Sequence, residues 1–123
     1  IRRYIIDTHY CELVPPEYVD VVIVLRLNPE DLFERLVKRG YGARKVCENT
    51  LAEVLDYCLI SAIEVHGESR VIEVDTTGKS VDVVVNEILE MLSRGERRAG
   101  VVNWLQEVDD EFLLRLERGL QGP

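Results

Sequence analysis

The chain predicts an α/β domain: a parallel sheet with helices on both faces, a three-layer α/β/α arrangement. Three observations carry this. Short β-branched and apolar runs alternate with stretches of helical periodicity. The clearest run, over residues 19–27, is nearly continuous, as in a strand buried on both faces. The 123 residues suit one domain, and 46% hydrophobic against 31% charged residues is the balance of an ordinary globular chain.

The elements follow in order. Residues 1–6 read as a short apolar strand closing on Asp7, with His9 two residues later. Val14, Pro15 and Pro16 mark a break, because proline donates nothing to a central ladder. The second strand covers 19–27. Asn28, Pro29, Glu30 and Asp31 then spell a helix start: a capping Asn, Pro at the first helical position, acids in the first turn. Leu32, Phe33, Leu36 and Val37 form its apolar stripe, and Gly40-Tyr41-Gly42 ends it. One longer helix is expected over 46–66, with Leu51, Val54, Leu55, Cys58, Leu59 and Ala62 at helical spacing and Gly67 as the stop. A third strand covers 70–74, a turn 76–80 and a third helix 81–92.

Residues 95–100 read as a charged linker. Residues 101–120 read as an amphipathic tail carrying Trp104, Leu105, Phe112, Leu113 and Leu116. The division is a core over 1–94 and a linker with a C-terminal helix over 95–123. Three parallel strands alone would leave long apolar edges unpaired. A further strand is therefore expected from a preceding segment or from a second copy in a homo-oligomer.

Composition removes several function classes. A formal net charge of −8 is a poor footprint for nucleic acid, so no sequence-specific nucleic-acid partner is expected. A local basic patch surrounds Arg35, Arg39, Arg44 and Lys45. The longest apolar run, 21–25, is too short to span a bilayer. Cys11, Cys47 and Cys58 are odd in number and match no zinc spacing, which fits a reduced, cytoplasmic setting, with Cys58 as a small core residue. Arginine far outnumbers lysine, as is compatible with a thermophilic source.

Three constellations carry chemistry. In parallel α/β sheets ligands bind outside the carboxyl ends of the strands. An aspartate there commonly organises Mg²⁺ around a nucleotide phosphate. That is one reading of Asp7, with His9 orienting a water or a phosphate oxygen; in the other, Asp7 caps the next turn and His9 is a surface residue. Arg35 and Arg39 are four apart and share a helix face beside a glycine hinge. They suit a bidentate phosphate clamp under a swinging lid; taken alone, the residues favour the other reading, a solvated helix surface. Thr76-Thr77-Gly78-Lys79-Ser80 is not a P-loop, since Glu73 stands where that motif needs glycine. What remains is a turn with free N–H groups at a helix start, open to a nucleotide base.

Taken together, Ile5-Ile6-Asp7-Thr8-His9, Val21-Val22-Ile23-Val24-Leu25-Arg26, Leu32-Phe33-Glu34-Arg35-Leu36 with Arg39-Gly40-Tyr41, and Lys45-Val46-Cys47-Glu48-Asn49 with Ala52-Glu53 carry a resemblance. The chain resembles the adenylate-kinase-like NTPases of ribosome assembly, the adenylate kinase isoenzyme 6 type. Asn103-Trp104-Leu105 resembles the archaeal branch.

The resemblance implies a P-loop nucleoside monophosphate kinase fold. It implies ATP and AMP as substrates, ATP hydrolysis, Mg²⁺, and a small-subunit platform ribosomal protein as partner. Asp7 would serve Mg²⁺ through water, with His9 and Arg39 catalytic. Arg35 and Arg39 would hold the adenine and the ATP phosphates. Thr77, Gly78 and Lys79 would border the base. The lid would span 39–45, with Tyr41, Arg44 and Lys45.

The family opens with a glycine-rich phosphate loop and AMP-binding helices that these residues do not contain. The chain is accordingly expected to be N-terminally truncated by about 60–70 residues. It is expected to be inactive alone, because that loop supplies the main electrostatic stabilisation of phosphoryl transfer. The alternative is a non-catalytic module that binds a ribosomal protein or itself.

Overall fold

A computed structural model describes residues 3–121. The main elements run β1 (Val22–Arg26), α1 (Pro29–Lys38), α2 (Ala43–Val54), α3 (Tyr57–His66), β2 (Val71–Asp75), α4 (Val81–Arg94), α5 (Trp104–Glu107) and α6 (Asp110–Gln121). The two strands pair in parallel, from Val22 opposite Val71 to Arg26 opposite Asp75. Successive side chains leave a strand on opposite faces. Val24 and Val71 accordingly pack on Leu59 and Ala62 of α3, while Ile72 and Val74 pack on Val84 and Met91 of α4.

Local chemistry sets several ends. Asn28 Oδ1 accepts from Glu30 N at 2.9 Å, so the Asn-Pro start of α1 is as the sequence spells it. Ser80 Oγ accepts from Val83 N at 3.3 Å and opens α4, which closes on the left-handed Gly95 (φ 69°). Asp109 Oδ1 accepts from Phe112 N at 2.8 Å at the start of α6.

The tail docks on α2. Phe112 and Leu116 bury against Cys47 and Val54. Phe33 of α1 meets Phe112 edge-on, with centroids 5.9 Å apart. Gly119 permits this approach, because a Cβ there would collide with Cys47 Sγ.

The structure corrects five expectations. First, residues 3–6 of the expected opening strand are not in a strand, and Ile1 and Arg2 lie outside the described residues. Tyr4, Ile5 and Ile6 are exposed, and the sheet among the described residues has two strands, not three. Strand preference is realised only where a neighbouring ladder supplies partners and burial. Second, the strand expected over 19–27 shortens to Val22–Arg26, and the next shifts by one to Val71–Asp75. The carbonyls of Pro16 and Val19 are taken by Arg70 Nη1, at 2.7 and 3.0 Å.

Third, the helix expected over 46–66 is two helices, α2 and α3, broken at Asp56 in the left-handed region (φ 60°). An ion pair from Asp56 to the buried Arg26 holds this break, as the next subsection describes. Fourth, 95–100 is not a free linker. Arg98 N donates to Val71 O at 3.0 Å and Arg98 O accepts from Glu73 N at 2.8 Å, a parallel bridge along β2. Fifth, Cys58 is exposed; Cys47 is the buried cysteine. Among the described residues, no helix is long and apolar enough to cross a membrane.

Candidate functional site

The carboxyl ends of the two strands are laced together. Arg26 O accepts from Thr76 N at 2.8 Å and from Thr76 Oγ1 at 2.6 Å. Asn28 N donates to Thr77 Oγ1 at 2.8 Å. The turn after β2 is thereby fastened to the start of α1. Asp75 Oδ1 accepts from Thr77 N at 3.0 Å, and Gly78 takes the left-handed region at φ 68°, where glycine has no Cβ to clash. Nothing lies within 4 Å of where a Gly78 Cβ would stand, so this side of the turn is open. Lys79 Nζ reaches Glu87 of α4 at 2.9 Å.

Beneath these turns lies a buried ionic node that the sequence reading did not single out. Arg26 is 1% exposed and Glu73 is fully buried. Arg26 Nε donates to Glu53 Oε2 at 2.7 Å, Nη1 to Glu73 Oε2 at 2.8 Å, and Nη2 to Asp56 Oδ1 at 2.6 Å and to Glu53 O at 3.0 Å. Burial opposes the guanidinium charge. The hydrogen bond to Asp56 and the charge and bond of Glu53 more than offset that, and hold Arg26 above its ordinary value. On Glu53 burial wins: its carboxyl sits above the usual range despite Arg26 and the bonds from Trp104 and Leu27. The signal available in the sequence was an arginine and a glutamate inside otherwise apolar strand runs. Such charges are almost never fully buried without a partner.

Asp7, Thr8 and His9 line a cavity of about 260 Å³, with Cys11, Cys58 and the β1 residues Val22, Ile23, Val24 and Leu25. The Cys11 thiol is pushed up, first by burial and then by the Glu12 carboxylate; Cys58 is exposed as a residue, and its thiol is pushed up where the cavity wall desolvates it and by the Glu53 carboxylate. They are poor nucleophiles there. Among the described residues, no three His, Cys, Asp or Glu side chains gather as a metal cage. Asp7 as a single carboxylate on a cavity wall fits a magnesium ion held mainly by phosphate and water.

The remaining candidates sit at the α1–α2 junction. Arg35 and Arg39 are exposed, and Gly40 (φ 84°) turns the chain toward Tyr41 and Gly42. Lys45 is exposed in the first turn of α2. Arg44 pairs with Glu48 at 3.1 Å and donates to Leu120 O at 2.9 Å, so it fastens α2 to the end of α6. The structure thus joins Thr77 to α1 and gathers Asp7 with His9. Among the described residues, no hydrogen bond or ion pair links either group to Arg35, Arg39 or Lys45.

Comparisons with known proteins agree with this architecture. The AAA domain, a P-loop family, matches residues 2–56. A protein of Thermococcus onnurineus named "Putative adenylate kinase" is 46% identical over 109 residues, 88% of this chain and 58% of its own length. Proteins of the same name from Methanocaldococcus jannaschii and Pyrococcus furiosus are 42% and 44% identical, covering 94% and 96% of this chain and 61% and 63% of their own lengths. The chain spans about three-fifths of the length of these relatives. Together with the parallel α/β architecture, these matches fit a P-loop fold and make the chain similar to proteins named adenylate kinase.

Proposed function

We propose that the chain is the nucleotide-holding part of an ATP–AMP phosphotransferase with accompanying ATP hydrolysis. The observation that carries this is the bond from Asn28 N to Thr77 Oγ1 at 2.8 Å, which builds one continuous surface at the carboxyl ends of two parallel strands. The relatives' shared name gives that surface its nucleotide.

Phosphoryl transfer is mostly positioning and charge stabilisation. An AMP phosphate oxygen attacks the γ-phosphorus of ATP, the bond to the bridging β–γ oxygen breaks, and ADP leaves. In this reading Thr77, Gly78 and Lys79 border the adenine. Arg35 stacks on the base, and Arg39 clamps the phosphates under a lid over 39–45 with Tyr41, Arg44 and Lys45. Asp7 would hold Mg²⁺ through water, and the ion would neutralise phosphate charge. His9 orients the phosphate or the attacking water. No glycine-rich GxxxxGK[ST] loop occurs in these 123 residues, so the chain alone is proposed to be inactive.

The test is ADP formation from ATP and AMP, by the chain alone and by the chain joined to the part of the Thermococcus onnurineus relative that lies outside the match. Turnover by the joined protein and none by the chain alone is expected. A joined, folded protein without turnover would overturn the reading.

A second reading is favoured by exposed apolar side chains on α4. Val81, Val85, Leu89 and Leu92 follow helical spacing and are 78%, 45%, 57% and 40% exposed. They suit a cytoplasmic docking role toward a small-subunit platform ribosomal protein, or a second copy of this chain. Binding of purified platform protein that survives in Asp7→Asn but not in Leu89→Glu would favour this reading; equal binding by both variants would count against it.

A further inference from the structure

The two strand-end turns are held from below by the carboxyl-terminal segment. Trp104 Nε1 donates to Glu53 Oε2 at 2.8 Å. The same oxygen accepts from Arg26 Nε at 2.7 Å. Val101 N donates to Glu73 Oε1 at 2.8 Å, while the other Glu73 oxygen holds Arg26 Nη1. The tail therefore grips two of the three carboxylates that fix Arg26. The Arg26 carbonyl in turn accepts both Thr76 bonds, and Thr77 is tied to Asn28. Trp104 is only 3% exposed, so its N–H has no access to competing water.

We propose that Trp104 is a positioning residue: acting through Glu53 and Arg26, it sets the geometry of the Thr76–Lys79 turn, and thereby the affinity for the nucleotide base. The nucleotide half of this inference rests on the function proposed above; the positional half does not. Of the three carboxylates around the guanidinium, Glu53 and Glu73 are 14% and 0% exposed, so these two need further donors to stay ordered there. Trp104 and Val101 supply two such donors. Without the indole N–H, Glu53 keeps its burial but loses a partner, and the guanidinium has room to follow it.

The chain contains a single tryptophan, so its emission reports this contact directly. The experiment uses the full chain and Trp104→Phe, which keeps an aromatic ring and removes the donor. Phe112→Leu, tuned by urea to the same global stability, is the control that loosens α6 without touching the relay.

Hydrogen exchange at the Thr76 and Lys79 amides should rise about fivefold in Trp104→Phe, the scale of one lost hydrogen bond. It should stay at the wild-type level in Phe112→Leu. ATP should shift Trp104 emission, and the ATP dissociation constant by equilibrium dialysis should rise about fivefold in Trp104→Phe. Unchanged exchange, or an equal rise in both variants, overturns the relay. No ATP bound by the wild type in dialysis overturns the nucleotide half together with the function it rests on, while the exchange data still decide the relay.

Discussion

Arg26 Nη1 donates to Glu73 Oε2 at 2.8 Å across neighbouring parallel strands, with side chains 1% and 0% exposed. Glu73 stands in register with Val24, so Arg26 reaches back one full pleat on the face that also carries α3. Buried charges persist only when paired and hydrogen-bonded. Removing one partner leaves the others stranded.

Arg26→Met should therefore destabilise the chain by about 3–5 kcal/mol, since three carboxylates lose their common counterion. Urea unfolding checks this through the midpoint at constant slope. A loss below about 1 kcal/mol would show the node to be solvated rather than buried.

Glu53 gives a pH test. Burial holds its carboxyl above the ordinary value of 4.5, and Arg26 does not fully reverse that. An acid raised in the folded state contributes stability fully below its unfolded pKa, and loses it as pH climbs through the folded value. Wild-type stability should fall relative to Glu53→Gln as pH rises from about 4.5 through the raised value. Chemical denaturation from about pH 4 upward reads the gap between the two proteins, starting near the ordinary carboxylate value so that a raised carboxyl titrates within the series. A gap independent of pH would contradict the raised carboxyl.

Gly119 should reverse the sign of a common substitution. In an exposed helix Gly→Ala stabilises by about 1 kcal/mol. Here the new Cβ meets Cys47 Sγ, so Gly119→Ala should cost about 1–3 kcal/mol by overpacking. In a Cys47→Ala background the same change should cost less, because the collision with Sγ is gone and only the 3.2 Å approach to the Cβ of residue 47 remains. Thermal unfolding of the four proteins closes the cycle, and equal effects in both backgrounds would contradict the packing of α6 on α2.

Arg39 and Asp7 should separate activity from stability. Both are exposed, and neither side chain makes a hydrogen bond among the described residues. Arg39→Ala and Asp7→Asn should change folding stability by less than about 0.5 kcal/mol. Each should lower ADP formation by the joined protein about 10²–10³-fold. Activity lost only in step with melting temperature would assign them structural roles instead.

The sequence by itself determined the elements whose signals are local. The Asn28-Pro29 cap and the Gly67 stop act within one turn of backbone, so residue type and spacing suffice to place them. The nearly continuous apolar run around β1 and the strand–helix alternation likewise made the parallel α/β class legible, as did the amphipathic tail. Thr77, Gly78 and Lys79 were placed at a strand-to-helix turn for the same reason.

Only the tertiary structure decided the rest. Helical periodicity continues unbroken through Leu55 and Asp56, yet the chain turns there because Arg26, thirty residues away, draws the half-buried Asp56 carboxylate into an ion pair. Strand preference in Tyr4, Ile5 and Ile6 goes unused among the described residues because no ladder lies against them. The charged composition of 95–100 reads as solvated linker until β2 offers its edge to Arg98. In each case the presence or lack of a partner distant in sequence outweighs the local pattern, and composition and periodicity carry no record of that partner.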